Sequence, residues 1–465
     1  MNHLINSLQI EMQCPNEGMA FDVRHHFAQN MQAGVVDVMN DICNKYSAEN
    51  EWLRIDKLEI DVGNFDNSVF DKNFKQVFAK QFEQLLLDKI GKIPQAEKTD
   101  TQQKSLADAV RYFLLNGTLP WWITKNEFDL NKSVIDFFTN QTQSAKLFFT
   151  KQQRNQQLWQ RTAFQLNNEA QEIIIQNLPA LLAAQKIMVE IWQSVIQEIN
   201  KTEIIDDDKN QQAINTIVLK SASVFFTEQL NEQLILTFLF NEIEEIVSIK
   251  DENFNEIITA LNKKISSENY LKDEDDKIKI ISVEAENSVK SQQNEDGKKD
   301  EKYFVQQAGI VLLSPFFKPF FNNLKLFENG KWVSKEAQIK GVHLLYFIST
   351  GLLEMLEYNA VLEKVLCGLP ISFPVSMKID LTDVEINECN ELITSAIEHW
   401  GALKSTSVQG VRQTFLQREG VLKPLQNGWL LQIERQTWDV LLEKIPWGFN
   451  TIFLPWQPKI INVEW

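Results

Sequence analysis

The spacing of apolar residues near the start of the chain predicts two strands and two helices. Residues 3–12 and 52–63 alternate apolar and polar positions, as in strands that bury one face. Residues 21–44 and 70–86 instead repeat apolar positions every three or four residues, which is the spacing of a helix with one buried face. Together these elements predict a small α+β unit over residues 1–92.

A polar stretch at residues 93–104 predicts a linker, and helical spacing dominates after it. A short helix over residues 105–115 is expected to end at Gly117. From about residue 130 one helical pattern follows another, with short connections that are rich in Asn and Gln and with no fixed-period repeat. The pattern predicts a helical region over residues 105–264.

The character of the chain changes at residues 266–302. From Lys272 onward this stretch mixes positive and negative charges and contains no aromatic residue. It cannot bury enough apolar area to offset the entropy of an ordered chain, so we expect a mostly disordered, solvated charged linker over residues 265–302.

After the linker, dense apolar positions predict a C-terminal α+β domain over residues 303–465. Asn329-Gly330 is a tight-turn signal, and Thr382 with Glu385 fits a capping box that opens a helix. The expected helices cover 335–358, 360–366, 382–400, 408–419 and 438–442, and the expected strands cover 429–434, 451–454 and 460–465. The fold class is therefore predicted to be mainly α, with small α+β units at both ends and a helical middle.

Composition and charge narrow the function classes. With 16 Gly and 12 Pro in 465 residues, breakers are scarce, which favours long helices. The formal net charge of −17 gives an acidic surface that repels phosphate, so nucleic acid is not expected as a partner.

The cysteines and the apolar segments bear on the location of the protein. Cys14, Cys43, Cys367 and Cys389 are far apart and form no C-x-x-C pair, so we expect reduced thiols in a cytoplasmic protein. The start of the chain lacks the features of a signal peptide. The most apolar stretch, residues 308–317, is far shorter than the ~20 residues that span a bilayer, so we expect a core helix and no stable membrane insertion.

Motifs that carry chemistry are missing from the sequence. It contains no phosphate-binding G-x-x-x-x-G-K-[ST], no dinucleotide-binding glycine pattern, no H-E-x-x-H and no G-x-S-x-G. His25 and His26 are adjacent on a predicted helix and point to different faces. The position of His399 at a helix C-terminus is explained by the helix dipole. We therefore expect no catalytic residue, no cofactor, no metal and no small-molecule substrate.

The tryptophans form the most distinctive pattern. Pro120-Trp121, Pro446-Trp447 and Pro455-Trp456 each follow a Leu or Ile; the proline fixes φ and the indole can anchor the turn by burying a large area. Such turns are either corners of the fold or an aromatic surface for a partner. The candidate structural or interaction residues are Trp121, Trp122, Trp400, Arg412, Phe415, Arg418, Trp429, Trp447, Trp456 and Trp465. Because the chain ends on Trp465, we expect the last strand to be docked.

Several blocks resemble one known family. These are Arg54–Gly63, Tyr112–Trp122, Leu366–Pro370, Glu398–Leu422 and the closing segments from Trp429 to Trp465. Together they are similar to the contractile injection system tape measure protein family. The resemblance implies a component of a phage-tail-like particle, with tube, baseplate or cap proteins as partners and a role in setting tube length. It implies no catalytic residue, and Gln457-Pro458 departs from the family's aromatic-rich ending.

Three hypotheses follow. The first is a non-enzymatic structural or assembly component, tape measure-like, that takes part in tube or tail assembly or in length control. It would be made in the cytoplasm and carried in an assembled or released particle. The second is an assembly chaperone or cap adaptor that binds tail proteins, and the third is an envelope-acting hydrolase. A ruler would be a long thin helix at ~1.5 Å per residue, whereas this chain has 12 Trp and 30 Phe, and only residues 130–264 could extend.

Overall fold

A computed structural model describes residues 3, 5, 8, 10–27, 32–46, 55, 57–64, 70–92, 102–123, 128–199, 207–242, 259–261, 301–403 and 406–465. The chain divides into a first unit, Met1–Ala109 with Trp121–Phe128, and a second unit, Val110–Pro120 with Asp129–Trp465. The described residues are mainly helical, which confirms the predicted fold class. The domain boundaries that the sequence suggests stay a prediction, and the charged linker falls almost wholly outside the described residues.

The first unit contains three helices and the start of a fourth among its described residues. The three are α1 Glu17–His26, α2 Gln32–Tyr46 and α3 Phe70–Lys92. Their core contains Phe27 and Val35 from the region of α1 and α2, and one phenylalanine per turn of α3. Phe78 stacks on Phe74 at 6.0 Å and on Phe82 at 5.8 Å between ring centroids. The spacing of four residues places these rings on one face of α3, so the helix that the pattern predicts is confirmed.

The strands predicted at residues 3–12 and 52–63 are not strands in the described part of those segments. Leu58, Ile60 and Val62 pack against the core of the first unit while the residues between them are exposed, so the alternation is real. A strand, however, also needs a neighbour that exchanges backbone hydrogen bonds, and no such ladder exists among the described residues. The alternation therefore indicates which side chains are buried, and for the described residues the strand prediction was wrong.

A run of helices makes up the next part of the chain. Helix α4, Gln102–Asn116, ends at Gly117, whose φ of +74° is the left-handed conformation that suits glycine. The helical segment then consists of α5 Leu130–Asn140, α6 Thr142–Lys151, α7 Gln156–Gln165, α8 Asn168–Asn177, α9 Pro179–Ile199, α10 Asp207–Lys220, α11 Ala222–Phe225 and α12 Glu232–Asn241.

Polar residues in the connections fix where four of these helices begin. Asp129, Asn155, Asn167 and Asn231 each accept a backbone N–H from the first turn of the helix that follows. A side-chain oxygen at this position satisfies a donor that the helix itself leaves unpaired, and each such cap contributes about 1 kcal/mol. The polar connections therefore divide the segment into short helices instead of one long helix.

Seven strands lie in the C-terminal part, residues 301–465. They are β1 Tyr303–Val305, β2 Phe327–Glu328, β3 Lys331–Trp332, β4 Gly420–Leu425, β5 Gly428–Ile433, β6 Thr451–Leu454 and β7 Gln457–Glu464. Strands β2 and β3 form a hairpin, and the others form a sheet of order β1-β4-β5-β7-β6 in which only β5 and β7 run parallel. One face of this sheet carries Leu422, Leu431 and Ile461 into the core.

Five helices share the hydrophobic core with that face of the sheet. They are α13 Ser314–Asn323, α14 Lys335–Thr350, α15 Val361–Leu366, α16 Asp383–His399 and α17 Val408–Val411. The tight turn at Asn329-Gly330, with φ of 51° and 80°, and the capping box of α16 confirm two local predictions. The apolar stretch before α13 is a buried 3₁₀ segment, Ala308–Leu313. No helix among the described residues is long and apolar enough to cross a membrane.

Two predicted helices are too long. Helix α14 stops at Thr350 instead of residue 358, because Gly351 adopts a φ of +76° and caps it. The helix expected over 408–419 is the short α17 followed by a π-helical turn, Arg412–Leu416. Gly420, where that helix was expected to stop, is the first residue of strand β4, which was not predicted from the sequence.

Candidate functional site

The groups that could carry chemistry are dispersed or buried. In the described ranges, no group of three or more His, Cys, Asp or Glu side chains could hold a metal ion. His399 is exposed, and its Nδ1 lies 2.7 Å from the Ser395 carbonyl oxygen. Burial raises the pKa of Cys389 to about 12, so this thiol stays protonated and unreactive at neutral pH.

Trp400 and Trp447 lie in one apolar cluster under the sheet. Trp400 is buried, its ring lies 4.9 Å from that of Phe415, and its Nε1 donates to the Leu441 carbonyl at 3.1 Å. The Nε1 of Trp447 donates to the Leu312 carbonyl at 2.8 Å. Trp400 thus buries its whole ring and Trp447 buries part of its ring, and each indole N–H has an acceptor, which is how tryptophan anchors a fold.

Trp456 occupies a second aromatic cluster, beside the β2–β3 hairpin. Its ring centroid lies 4.7 Å from Phe327 and 5.3 Å from Trp332, and its Nε1 donates to the Leu366 carbonyl at 2.7 Å. The neighbouring Gln457, which departs from the resembled family's ending, is buried and donates to the Val365 carbonyl at 2.7 Å. The turn between β6 and β7 is therefore fastened to helix α15 at two adjacent residues.

Trp465 is held by an ion pair in the interior. Arg418 is 1% exposed and binds Asp439 through two parallel hydrogen bonds of 2.8 and 2.9 Å. The Nε1 of Trp465 donates to the same carboxylate at 3.0 Å, and the Arg418 guanidinium lies over its ring. Burial acts to raise the pKa of Asp439, but hydrogen bonds from Arg418, the Gln436 N–H and Trp465 outweigh it and lower that pKa. The last residue is docked, as expected.

Arg412 connects the π-helical turn to two helices. Its Nε donates to the Ile348 carbonyl at 3.0 Å, and its Nη2 donates to the Asn390 side chain at 2.9 Å. The guanidinium lies 5.3 Å from the centroid of Phe347. Burial lowers the pKa of Arg412 from its ordinary value. All of its polar contacts are internal, so this arginine ties α14 to α16.

The other three candidate tryptophans are partly buried. Trp429 faces the core side of β5, with Tyr303 at 6.4 Å on one side and the Lys459 ammonium 5.6 Å from its ring. In the first unit, Trp121 and Trp122 pack edge to face at 6.0 Å. The structure therefore distributes the ten candidate residues over several sites instead of bringing them together.

A buried ion cluster was missed by the sequence reading. Arg161 on α7, Glu357 in the 3₁₀ turn Glu357–Asn359 and Lys364 on α15 all have side chains that are 0% exposed. The Nε of Arg161 donates to one Glu357 oxygen at 2.9 Å, and the Nζ of Lys364 donates to the other at 3.0 Å. The carboxylate thus pairs with one cation from the helical segment and one from the C-terminal part.

Backbone carbonyls complete the surroundings of the two cations. Arg161 donates to the Leu114 carbonyl, at the end of α4, and to the Ser372 carbonyl, each at 2.6 Å. Lys364 donates to the carbonyls of Ile371 and Phe373. Burial lowers the pKa of Lys364, and the Glu357 carboxylate opposes that shift. Three stretches of chain that are far apart in sequence therefore meet at this cluster.

The comparison with protein families gives one match. The family model described as contractile injection system tape measure protein matches residues 2–465. The chain belongs to this tape measure family. Neither a curated protein nor a solved structure matches it. The resemblance of the sequence blocks is thereby confirmed, and the protein is a structural component of a contractile injection system that associates with other components of the particle.

Two large apolar side chains of the C-terminal part are among the most exposed apolar side chains of the described residues. Phe453 on β6 is 71% exposed and Trp438 is 61% exposed, and neither was among the residues that the sequence suggested. The alternation of side chains along β6 places Phe453 on the face opposite the buried Ile452 and Leu454.

The clearest sequence signal for the buried ion cluster was a charged pair, Glu363-Lys364, inside an apolar helix.

Proposed function

We propose that this protein is a non-enzymatic assembly component that takes part in tube or tail assembly, or in the control of tube length, by binding other proteins of the particle. The match of the tape measure family over residues 2–465 carries the proposal. The surroundings of the described side chains support it. The Cys389 thiol is buried and protonated, and the buried Arg161–Glu357 and Arg418–Asp439 ion pairs lie inside the fold of the second unit. The proposed partners are tube, baseplate or cap proteins, encountered in the cytoplasm during assembly.

We further propose that most of the candidate residues act by holding the fold. Trp400, Arg412, Phe415 and Arg418 are buried, and their polar atoms bond mainly to groups of the second unit. A buried side chain whose polar atoms already have partners inside the fold contributes little contact area to another protein. Contact with particle proteins then depends on exposed groups such as Trp438 and Phe453.

The assembly chaperone or cap adaptor is the second candidate function. It is favoured by the contacts that hold the helical segment against the C-terminal part, because an adaptor needs a folded surface and not a long helix. Imaging of particles from a strain that lacks the gene separates the two roles. Tubes of altered length support length control, whereas missing or uncapped particles support an adaptor.

Affinity purification with mass spectrometry tests the shared claim. The tagged chain should recover tube, baseplate or cap proteins from cells that assemble the particle. If the chain is absent both from particles and from assembly intermediates, the proposed function is wrong.

A matched pair of variants tests the exposed residues. Replacing Trp438 and Phe453 by serine should leave the melting temperature near that of the wild type and reduce recovery of particle proteins. Val384→Ser, at a position that is 66% exposed on α16, is the control and should not reduce recovery. Equal recovery by all three proteins would exclude Trp438 and Phe453 from the binding surface.

A further inference from the structure

We infer that the outer edge of strand β6, Thr451–Leu454, is a strand-addition site, where an extended and uncharged segment of another particle protein pairs with the backbone of Thr451 and Phe453. This inference rests on the proposed function and adds to it the place and the mode of one contact. A sheet edge can bind an extended segment through main-chain hydrogen bonds, while the side chains on its faces select the sequence.

Strand β6 lies at one end of the five-stranded sheet. The order β1-β4-β5-β7-β6 gives it β7 as its hydrogen-bonded neighbour. The two strands are antiparallel, with Thr451 opposite Asn462 and Ile452 opposite Ile461. Within the described part of the chain, no other strand pairs with the second edge of β6.

The ladder also shows which backbone groups of β6 face outward. The Val463 N–H donates to the Asn450 carbonyl at 2.8 Å, so the backbone of Asn450 faces β7. In an antiparallel ladder, successive residues direct their N–H and C=O groups to opposite sides of the strand. Thr451 therefore directs both groups to the outer edge. We expect the same of Phe453, two residues further, where the register with β7 shifts.

The side chains of β6 divide into a buried and an exposed set. Ile452 and Leu454 are buried, whereas Phe453 is 71% exposed and Thr451 is exposed on the same face. Ile460 of the neighbouring β7 lies on this face too, because it alternates with the buried residues of that strand. An added strand would place one of its side chains about 5 Å from Phe453, a distance at which cross-strand pairs stabilise each other. The edge thus offers an apolar contact beside its backbone groups.

Charge indicates what kind of segment fits this edge. Residues 445–458, which contain β6 and its flanks, include no charged side chain, although 23% of the chain is charged. Exposed sheet edges are commonly protected by charges that oppose the addition of a further strand. Such charges are present at the other end of the sheet, where Glu301 and Lys302 directly precede β1. The β6 edge lacks them and therefore suits an uncharged segment.

A second copy of this chain fits the edge poorly. Antiparallel pairing of two β6 strands about Ile452 would set Phe453 of one copy against Thr451 of the other. Pairing about Phe453 would set Thr451 against Pro455, which has no N–H to donate. The four residues of β6 also span only about 14 Å, whereas a stable interface buries about 1,200–2,000 Å². The occupant is therefore an extended segment of a different protein, with apolar side chains at alternate positions.

Photo-crosslinking from the edge tests the inference in cells that assemble the particle. The full chain carries p-benzoylphenylalanine in place of Phe453, where the exposed ring leaves room for the larger side chain. We expect the crosslinked peptide to come from an uncharged segment of a tube, baseplate or cap protein. The matched control is the same substitution at Phe304, which is exposed on β1 at the other edge of the sheet and should not give that peptide.

Two substitutions at Thr451 separate backbone pairing from side-chain contact. Thr451→Pro removes an N–H that faces outward, a change that edge strands tolerate. It should lower the crosslink yield from position 453 about tenfold, because the added strand loses a hydrogen bond. Thr451→Val keeps the N–H and the size of the side chain, so the yield should stay unchanged. Both variants should melt near the wild-type temperature.

The spacing of the crosslinks gives a second measurement that does not depend on the stability of Thr451→Pro. With p-benzoylphenylalanine placed at Thr451 or at Phe453, the crosslinked residues of the partner should lie two apart, as in a ladder. A spacing of three or four residues would indicate a helix on the face of the sheet and would overturn the inference.

Three further results would also overturn the strand-addition site. They are a crosslink to residues 445–458 of a second copy, equal yields from folded Thr451→Pro and Thr451→Val, and no crosslink from position 453 while the tagged wild-type chain recovers particle proteins. If the tagged wild-type chain recovers no particle protein at all, the proposed function fails, and the strand-addition site with it. The two failures are therefore distinguishable.

Discussion

Glu357→Gln offers the sharpest test of the buried ion cluster. The substitution keeps the size and the planar shape of the side chain but removes the charge that pairs with Arg161 at 2.9 Å and Lys364 at 3.0 Å. Both cations are fully buried, so water cannot replace the lost partner. Removing one partner of a buried ion pair costs about 3–5 kcal/mol.

Two details of the structure decide where in that range the effect falls. The backbone carbonyls around Arg161 and Lys364 remain as acceptors and favour the lower end. The amide of the new glutamine presents donors to a cation and favours the upper end. At ~2 °C per kcal/mol, which applies to larger domains, the melting temperature should fall by about 6–10 °C.

The pH dependence of the stability of Glu357→Gln provides an independent test of the ion cluster. Burial already lowers the pKa of Lys364, and the Glu357 carboxylate opposes this shift, so its removal lowers the pKa further. A lysine whose folded pKa lies below its unfolded value binds more protons when unfolded, and stability then increases with pH between the two values. The deficit of Glu357→Gln should therefore shrink as the pH rises toward the ordinary lysine value of ~10.4.

Glu354→Gln is the matched control. Glu354 lies three residues away, is 68% exposed, and is 4.0 Å from Lys378 in an exposed pair. Its loss should change stability by less than about 0.5 kcal/mol. Thermal unfolding followed by circular dichroism gives the difference, and hydrogen exchange of a peptide over residues 156–165 locates it. If Glu357→Gln destabilises no more than Glu354→Gln, the cluster does not hold the two parts together.

Three further predictions concern the interior of the second unit. Gly309→Ala should destabilise severely or prevent folding because the added Cβ would overlap a backbone carbonyl, whereas Gly448→Ala, with open space around it, should be tolerated in the same thermal assay. Burial lowers the pKa of His343 to about 4, so the stability that it contributes is complete above pH ~6.5 and declines by up to about 3 kcal/mol as the pH falls toward 4. His343→Gln should flatten that part of the pH profile in urea titrations. Asp439→Asn should leave a buried arginine without its counter-charge, cost about 3 kcal/mol, and increase hydrogen exchange near Trp465.

Local sequence signals predicted the parts of the fold that local physics determines. The capping box at Thr382 and Glu385 begins α16 where expected, since both of its hydrogen bonds form within four residues. Asn329-Gly330 makes the β2–β3 turn because both residues accept positive φ. The phenylalanine spacing of α3 likewise needs only the helix itself to place its rings in a row.

Contacts between distant segments were beyond such signals. Strand β4 was missed since its pairing with β1 and β5 depends on Tyr303 and Leu431, which lie far from it or across a turn. Arg161 and Glu357 are 196 residues apart, and no periodicity connects them. Alternation near Leu58 reported burial correctly but could not supply a ladder partner. The missed strand, the missed ion cluster and the wrong strand at Leu58 therefore share one cause, namely that pairing is a property of two segments.

The features that identify the family are largely those that hold the second unit together. Among the blocks that resembled the family, Tyr112–Trp122 contains Gly117, which lies against the ion cluster, and the closing segments contain Trp447, Trp456 and Trp465, whose indole N–H groups all bond inside the fold. Positions of this kind tolerate few side chains, so they make a family recognisable without reporting what its members bind. Family membership therefore constrains the contacts that hold the second unit together more directly than it constrains which particle protein the chain binds.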